Sequence, residues 1–135
     1  MAKAAFAAGE IEKAHTYATG LLATALNLPK DWNFGNAIHF GNIVLGRIGL
    51  KQGDVQKAAE FLVKAGHVPG SPSLNSFGPN MSLARELLKK GEREVVLHYF
   101  DLCRKFWRRG GTMLDSWTAE VKSGRIPKFG GNLIY

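Results

Sequence analysis

Residues 42–65, NIVLGRIGLKQGDVQKAAEFLVKA, constrain the fold more than any other stretch, because two helical patterns meet there at a single Gly-Asp turn. Val44, Leu45 and Ile48 fall at helical spacing, and Gly46 is small enough to let a neighbouring helix approach closely. Gly53 can take the left-handed conformation that ends a helix, and Asp54 can cap the next. The second helix places Val55, Ala58, Ala59, Leu62 and Ala65 on one face, with Gln56, Lys57, Glu60 and Lys64 opposite.

The pattern returns 38 positions later. Asn42 falls on Asn80, Leu45 on Leu83, Gly46 on Ala84, Leu50 on Leu88 and Gly53 on Gly91. Ala58 then falls on Val96, Leu62 on Phe100 and Ala65 on Cys103. With Leu45-Gly46, Gly53-Asp54, Ala58, Ala65 and Pro69 so placed, residues 36–109 resemble the tetratricopeptide-repeat family. The chain departs from that family at Asn42 and Gly49, which stand where the first helix has aromatic residues, and in its period, longer than the usual ~34 residues. The resemblance implies an all-α fold of antiparallel helical hairpins stacked as a short right-handed solenoid that binds protein or peptide segments.

The expected single domain over 1–135 comprises a partial hairpin at 3–26, hairpins at 36–66 and 80–109, a capping helix at 113–123 and a tail at 124–135. Gly9-Glu10 followed by Ala14 imitates Gly53-Asp54 followed by Ala58, so Ile11 to Ala25 reads as the second helix of an incomplete hairpin. That suggests a chain beginning inside a larger parent. Residues 27–35 read as a loop, with Pro29 ending the helix before it. Residues 68–79, VPGSPSLNSFGP, exceed the ~2–8 residues usual between bundle helices and read as a functional loop or a structured crossing. In the 80–90 helix Leu83, Ala84, Leu87 and Leu88 face inward, with Arg85 and Glu86 outward. The next helix, 92–109, carries a stripe of Val96, Tyr99, Phe100, Cys103, Phe106 and Trp107. Thr112 to Asp115 has the spacing of a capping box, and Met113, Leu114, Trp117 and Val121 form the apolar face that follows. Phe129, Leu133, Ile134 and Tyr135 make the tail too apolar for free solvent, so it packs back on the domain or occupies a partner.

At 135 residues the chain can bury a core, and 45% hydrophobic with 21% charged residues is ordinary for a soluble domain. No apolar run approaches the ~18 residues of a membrane span. MAKAAFAAGE lacks the apolar region of a secretory signal, which puts the chain as it stands in the cytoplasm; a secreted or periplasmic placement requires a trimmed signal. Cys103 is the one cysteine, read as a buried thiol without a disulfide. The net charge of +7 suits an anionic partner such as an acidic protein face, a nucleic acid or a membrane surface.

Two clusters carry candidate chemistry. The first comprises Trp32, Asn33, Asn36, His39, Asn42 and Arg47, with Asn75, Ser76 and Asn80 from the long connection. If the hairpins stack, the starts of their first helices are neighbours, and these amides and the imidazole line a polar groove for a peptide or small polar ligand. The same residue types also cap helices and tie down loops. His39, Asp31 and Ser76 supply the residue types of a hydrolytic triad, but no nucleophile-elbow sequence surrounds Ser76, and the balance is against an enzyme. His15, His67 and His98 show no metal-ligand spacing, so neither a metal nor a cofactor is expected. The second cluster, Arg104, Lys105, Arg108 and Arg109 around Phe106-Trp107, has the make-up of a nucleic-acid contact, but it equally suits a helix end whose aromatics are core. The leading expectation is a protein- or peptide-binding module. The alternative is a small-ligand binder or enzyme with a pocket between residues 31–39 and 75–80, and nucleic-acid binding ranks last.

Overall fold

The computed structural model describes residues 9–27 and 34–134. They form seven α-helices, with no strand among the described residues: α1 (Ile11–Asn27), α2 (Phe34–Lys51), α3 (Val55–Gly66), α4 (Pro72–Phe77), α5 (Ser82–Lys89), α6 (Arg93–Cys103) and α7 (Gly111–Lys122). Two 3-10 turns, Arg108–Gly110 and Gly130–Leu133, complete them. The all-α class expected from the sequence is what the structure has. None of the helices is long and apolar enough to cross a membrane. The 3–26 unit is described only from residue 9 onward.

Helix α2 is the central element, touching α1, α3, α4 and α5. Two glycines let it be crowded from both sides. A Cβ at Gly41 would lie 2.9 Å from Leu22 Cγ of α1, and one at Gly46 would overlap Leu83 Cδ2 of α5 and reach within 3.2 Å of Phe61 Cβ of α3. The approach expected at Gly46 is therefore real and admits two helices at once. Gly49 lies beside Ala58 while His39 bonds Ala65, so α2 and α3 run in opposite directions. Ala14 and Ala18 of α1 pack on Val44, Leu45 and Ile48, a small apolar layer beside the main core.

The turns of the two matched units close alike. Asp54 N–H bonds Gly49 O and Gly53 N–H bonds Leu50 O; Glu92 N–H bonds Leu87 O and Gly91 N–H bonds Leu88 O. Gly53 and Gly91 sit at φ of +86° and +82°, the left-handed position of a Schellman motif. Gly124 closes α7 in the same way.

The main core joins α3, α5, α6 and α7 with Leu74 of α4, Phe106, Trp107 and Phe129. Leu83, Ala84, Leu87 and Leu88 face inward as expected, but Glu86 turns to Arg47, and Arg85 is half-buried rather than fully outward. Three local expectations are corrected. Helix α6 ends at Cys103 rather than Arg109, because the chain tightens there and carries Trp107 into a slot that side chains at Gly78 and Gly110 would fill. A stripe of inward residues is satisfied equally by a longer helix or by this turn. The 112–115 capping box is absent: α7 starts at Gly111 without a side-chain cap, and Asp115 pairs with Arg104 instead. Met113, placed on the apolar face by its periodicity, is 43% exposed.

The 68–79 connection is a structured crossing. Ser71 caps α4 by accepting Leu74 N–H at 3.1 Å, and Pro72 occupies the first turn, where its missing N–H is harmless. The tail packs back on the domain. Phe129 enters an aromatic cluster, with its ring centroid 4.9 Å from that of Trp117 and 6.2 Å from that of Phe100.

Candidate functional site

Crossing α4 is held from four sides, and Asn36, His39, Asn75 and Asn80, among the polar residues singled out in the sequence, take part in the holding. His39 is fully buried between α3 and the start of α5. Asn80 N–H donates to His39 Nε2 at 2.9 Å, so Nε2 carries no proton, and Nδ1–H donates to Ala65 O at 2.9 Å. The imidazole is thereby fixed as the neutral Nδ1–H tautomer. Tyr99 Oη–H donates to Asn80 O at 2.8 Å, and Asn80 Oδ1 accepts the Ser82 N–H at 2.8 Å and the Ser82 hydroxyl. One residue thus ties α2, α5 and α6 together, its side chain accepting the first N–H of α5.

The same segment is anchored elsewhere. Asn36 Oδ1 accepts the hydroxyls of Ser71 and Ser73, the latter at 2.9 Å. In the amide orientation that satisfies both groups, Asn75 Nδ2 donates to Ser71 O at 3.2 Å and Phe106 O at 3.1 Å. From the tail, Asn132 Nδ2 donates to Phe77 O at 3.1 Å and Pro79 O at 3.0 Å, while its carbonyl accepts Met81 N–H at 2.7 Å. Asn132 had no local signal in the sequence, since its partners lie more than 50 residues away.

The candidate residues therefore divide. His39 and Asn80 do meet, but inside the protein rather than across an open groove. Asn42 is 5% exposed and donates to Ile38 O of its own helix at 2.8 Å. Arg47 Nε donates to Glu86 Oε1 at 2.6 Å, a half-buried ion pair between α2 and α5. Asn75 and Ser76 stand exposed on α4, beside Phe77 at 56% exposure. Trp32 and Asn33, with Asp31, lie outside the described residues, and with them one wall of the alternative pocket at 31–39 and 75–80. Both ring nitrogens of His39 are engaged by main-chain groups, which argues against its use as a general base.

The basic cluster lies next to α4. Gly78 touches the Trp107 indole, and α4 contacts the Arg108–Gly110 turn. Arg104 pairs with Asp101 and Asp115 and donates to Thr118 Oγ1 at 3.1 Å. Lys105, Arg108 and Arg109 are exposed, whereas Phe106 and Trp107 are buried and offer no face for a base to stack on. Residues 104–135 hold seven basic and two acidic side chains, against eleven and nine in the rest, so most of the net positive charge belongs to the C-terminal segment.

Burial pushes the Tyr99 phenol and the Cys103 thiol well up from their ordinary values, so both stay protonated in the fold. A shallow depression of about 390 Å³ lies at the far end of α6 between Glu92, Arg93, Glu94 and Lys122. Its mixed charges are all exposed and converge on no point. Among the described residues no group of three or more His, Cys, Asp or Glu side chains could hold a metal. Compared with models of known protein families, with curated proteins and with solved structures, the chain matches none.

Proposed function

We propose that this is a protein-binding domain in which the pairs α2–α3 and α5–α6 stack as a short tetratricopeptide-like solenoid closed by α7. In this reading α4 presents the binding edge. The partner is an acidic segment carrying one large apolar side chain. The observation that carries it is the 56% exposure of Phe77, an aromatic on a crossing fastened by α2, α6, the Phe106 carbonyl and the tail. Rigid exposed aromatics make efficient contact points because little conformational freedom is lost on binding. Lys105, Arg108 and Arg109 give the cationic rim, Asn75 and Ser76 the polar contacts, and Asn36, His39, Asn42, Arg47 and Asn80 the frame.

A peptide-display selection tests this. The expected result is enrichment of acidic peptides bearing a Leu, Phe or Trp, with binding at least tenfold weaker for Phe77→Ala and for Arg108→Glu/Arg109→Glu, roughly 1.4 kcal/mol or more. Failure to enrich any motif, or equal binding by the correctly folded variants, removes α4 as the binding edge. A mixed-sequence oligonucleotide is the control for a purely electrostatic surface, recognised by steep loss of affinity with salt.

A further inference from the structure

We propose that His67 and His98 form a two-imidazole site for an exchangeable divalent transition-metal ion of the copper, nickel or zinc type. The two residues lie 31 positions apart, yet their ring centroids stand 6.4 Å from each other at an interplanar angle of 65°. Both are exposed. What brings them together is the close seating of the α3 C-terminus on α6: a Cβ at Gly66 would lie 3.0 Å from Leu102 Cβ and 3.1 Å from Tyr99 Cδ1. His67 follows that glycine directly and is held as the C-cap of α3, with its N–H bonded to Val63 O at 3.1 Å. His98 precedes Tyr99, whose ring is locked in the core. The two backbones are therefore fixed and only the exposed rings need adjust.

At the usual metal–nitrogen distance of about 2.0–2.1 Å, imidazoles sharing one ion have centroids roughly 5–6 Å apart. A small change of side-chain torsion closes that gap. Glu94 lies one turn before His98 on the exposed face of α6, and its carboxylate favours a cation there, while Asp101, one turn after, is already paired with Arg104. Two neighbouring cations are directed elsewhere: Lys64 sits over the Phe61 ring, its Nζ 5.2 Å from the centroid, and Arg104 is drawn to Asp101 and Asp115. Two protein ligands leave the other positions to water, which suits an ion that exchanges readily, in contrast to the closed four-ligand set of structural zinc. Neutral imidazole is the ligating form, so acid opposes binding. The site is separate from the α4 edge and does not depend on its role.

The experiment is calorimetric titration of the tag-free full chain with Ni²⁺ and with Cu²⁺ at pH 7.5. One equivalent should bind, and His67→Ala and His98→Ala should each weaken it at least tenfold, with circular dichroism unchanged because both side chains are on the surface. Metal binding should broaden the ring resonances of these two histidines in particular. Absence of binding up to about 1 mM ion, sensitivity to only one of the two histidines, or an undiminished affinity in both variants would overturn the assignment, the last by moving the ion to His15 or the terminal amine.

Discussion

The pairs α2–α3 and α5–α6 share a spacing and a turn geometry but use matched positions for opposite ends. Asn42 and Asn80 occupy corresponding places, yet Asn42 bonds a carbonyl of its own helix while Asn80 engages His39, Tyr99 and Ser82 on three elements. Gly46 leaves room for Leu83, whereas its counterpart Ala84 fills its own space in the core. Asp54 caps α3 by accepting Lys57 N–H at 3.0 Å, while Glu92, in the same place before α6, makes no side-chain cap bond. Repetition of a pattern thus preserves the turn and the apolar faces. Polar residues at the seams take their roles from whatever the neighbouring pair brings near.

The largest expected effect breaks the asymmetry of the two asparagines. His39→Ala removes the acceptor of Asn80 N–H, orphans Ala65 O and leaves a cavity, and should cost about 3–5 kcal/mol in urea denaturation. Asn42→Ala should cost about 1 kcal/mol, since it loses one bond within a helix. Equal losses would show that the second seam is no more critical than the first.

Next comes the seam glycine. Gly46→Ala, which makes the first pair resemble the second, should lose about 1–3 kcal/mol by overpacking against Leu83. Gly49→Ala, one turn on, meets nothing closer than 3.8 Å and should gain up to about 1 kcal/mol from helix propensity. A neutral Gly46→Ala in thermal melts would mean that Leu83 can yield.

Ala65 of the first pair corresponds to Cys103 of the second, and this predicts a difference in alkaline sensitivity. Burial holds the Cys103 and Tyr99 protons in the fold, whereas the unfolded thiol ionises near about pH 8.5 and the phenol near about pH 10. Above those values the folded state binds more protons than the unfolded one, so stability falls as pH rises, by up to about 1.4 kcal/mol per pH unit and per group. Cys103→Ala should flatten the stability profile between about pH 8.5 and 10, leaving the later decline due to Tyr99. An unchanged profile would show that neither thiol nor its burial sets this dependence.

The smallest contrast is at the caps. Asp54→Ala should cost about 1 kcal/mol and Glu92→Ala less than about 0.5 kcal/mol in the same denaturation series.

Much of the frame was legible because it is local. Gly53-Asp54, the close approach at Gly46 and the inward face of α5 follow from spacing within a few turns. The end of α6 was not, because Phe106 and Trp107 lie inside whether the chain continues as helix or turns, and only the slot between Gly78 and Gly110 selects the turn. Asp115 had two possible partners, the start of its own helix and Arg104, and local spacing shows only the first. Among the candidate site residues, the spacing of Asn36, His39 and Asn80 shows only that they are polar; whether they meet a partner or one another depends on burial.

The sequence by itself determined most of the longer helices, the greater part of their apolar faces and the glycines of the Gly53, Gly91 and Gly124 turns, since these depend on backbone conformations and on side chains within one or two turns. Tertiary structure alone decided that His39 and Asn80 join 41 residues apart inside the core, that Asn132 fastens the α4 crossing from the tail, and that His67 and His98 face each other on the surface. Each of these requires two distant segments to be brought within a few ångströms. That proximity is set by how α3, α5 and α6 pack, and it leaves no periodic trace along the chain.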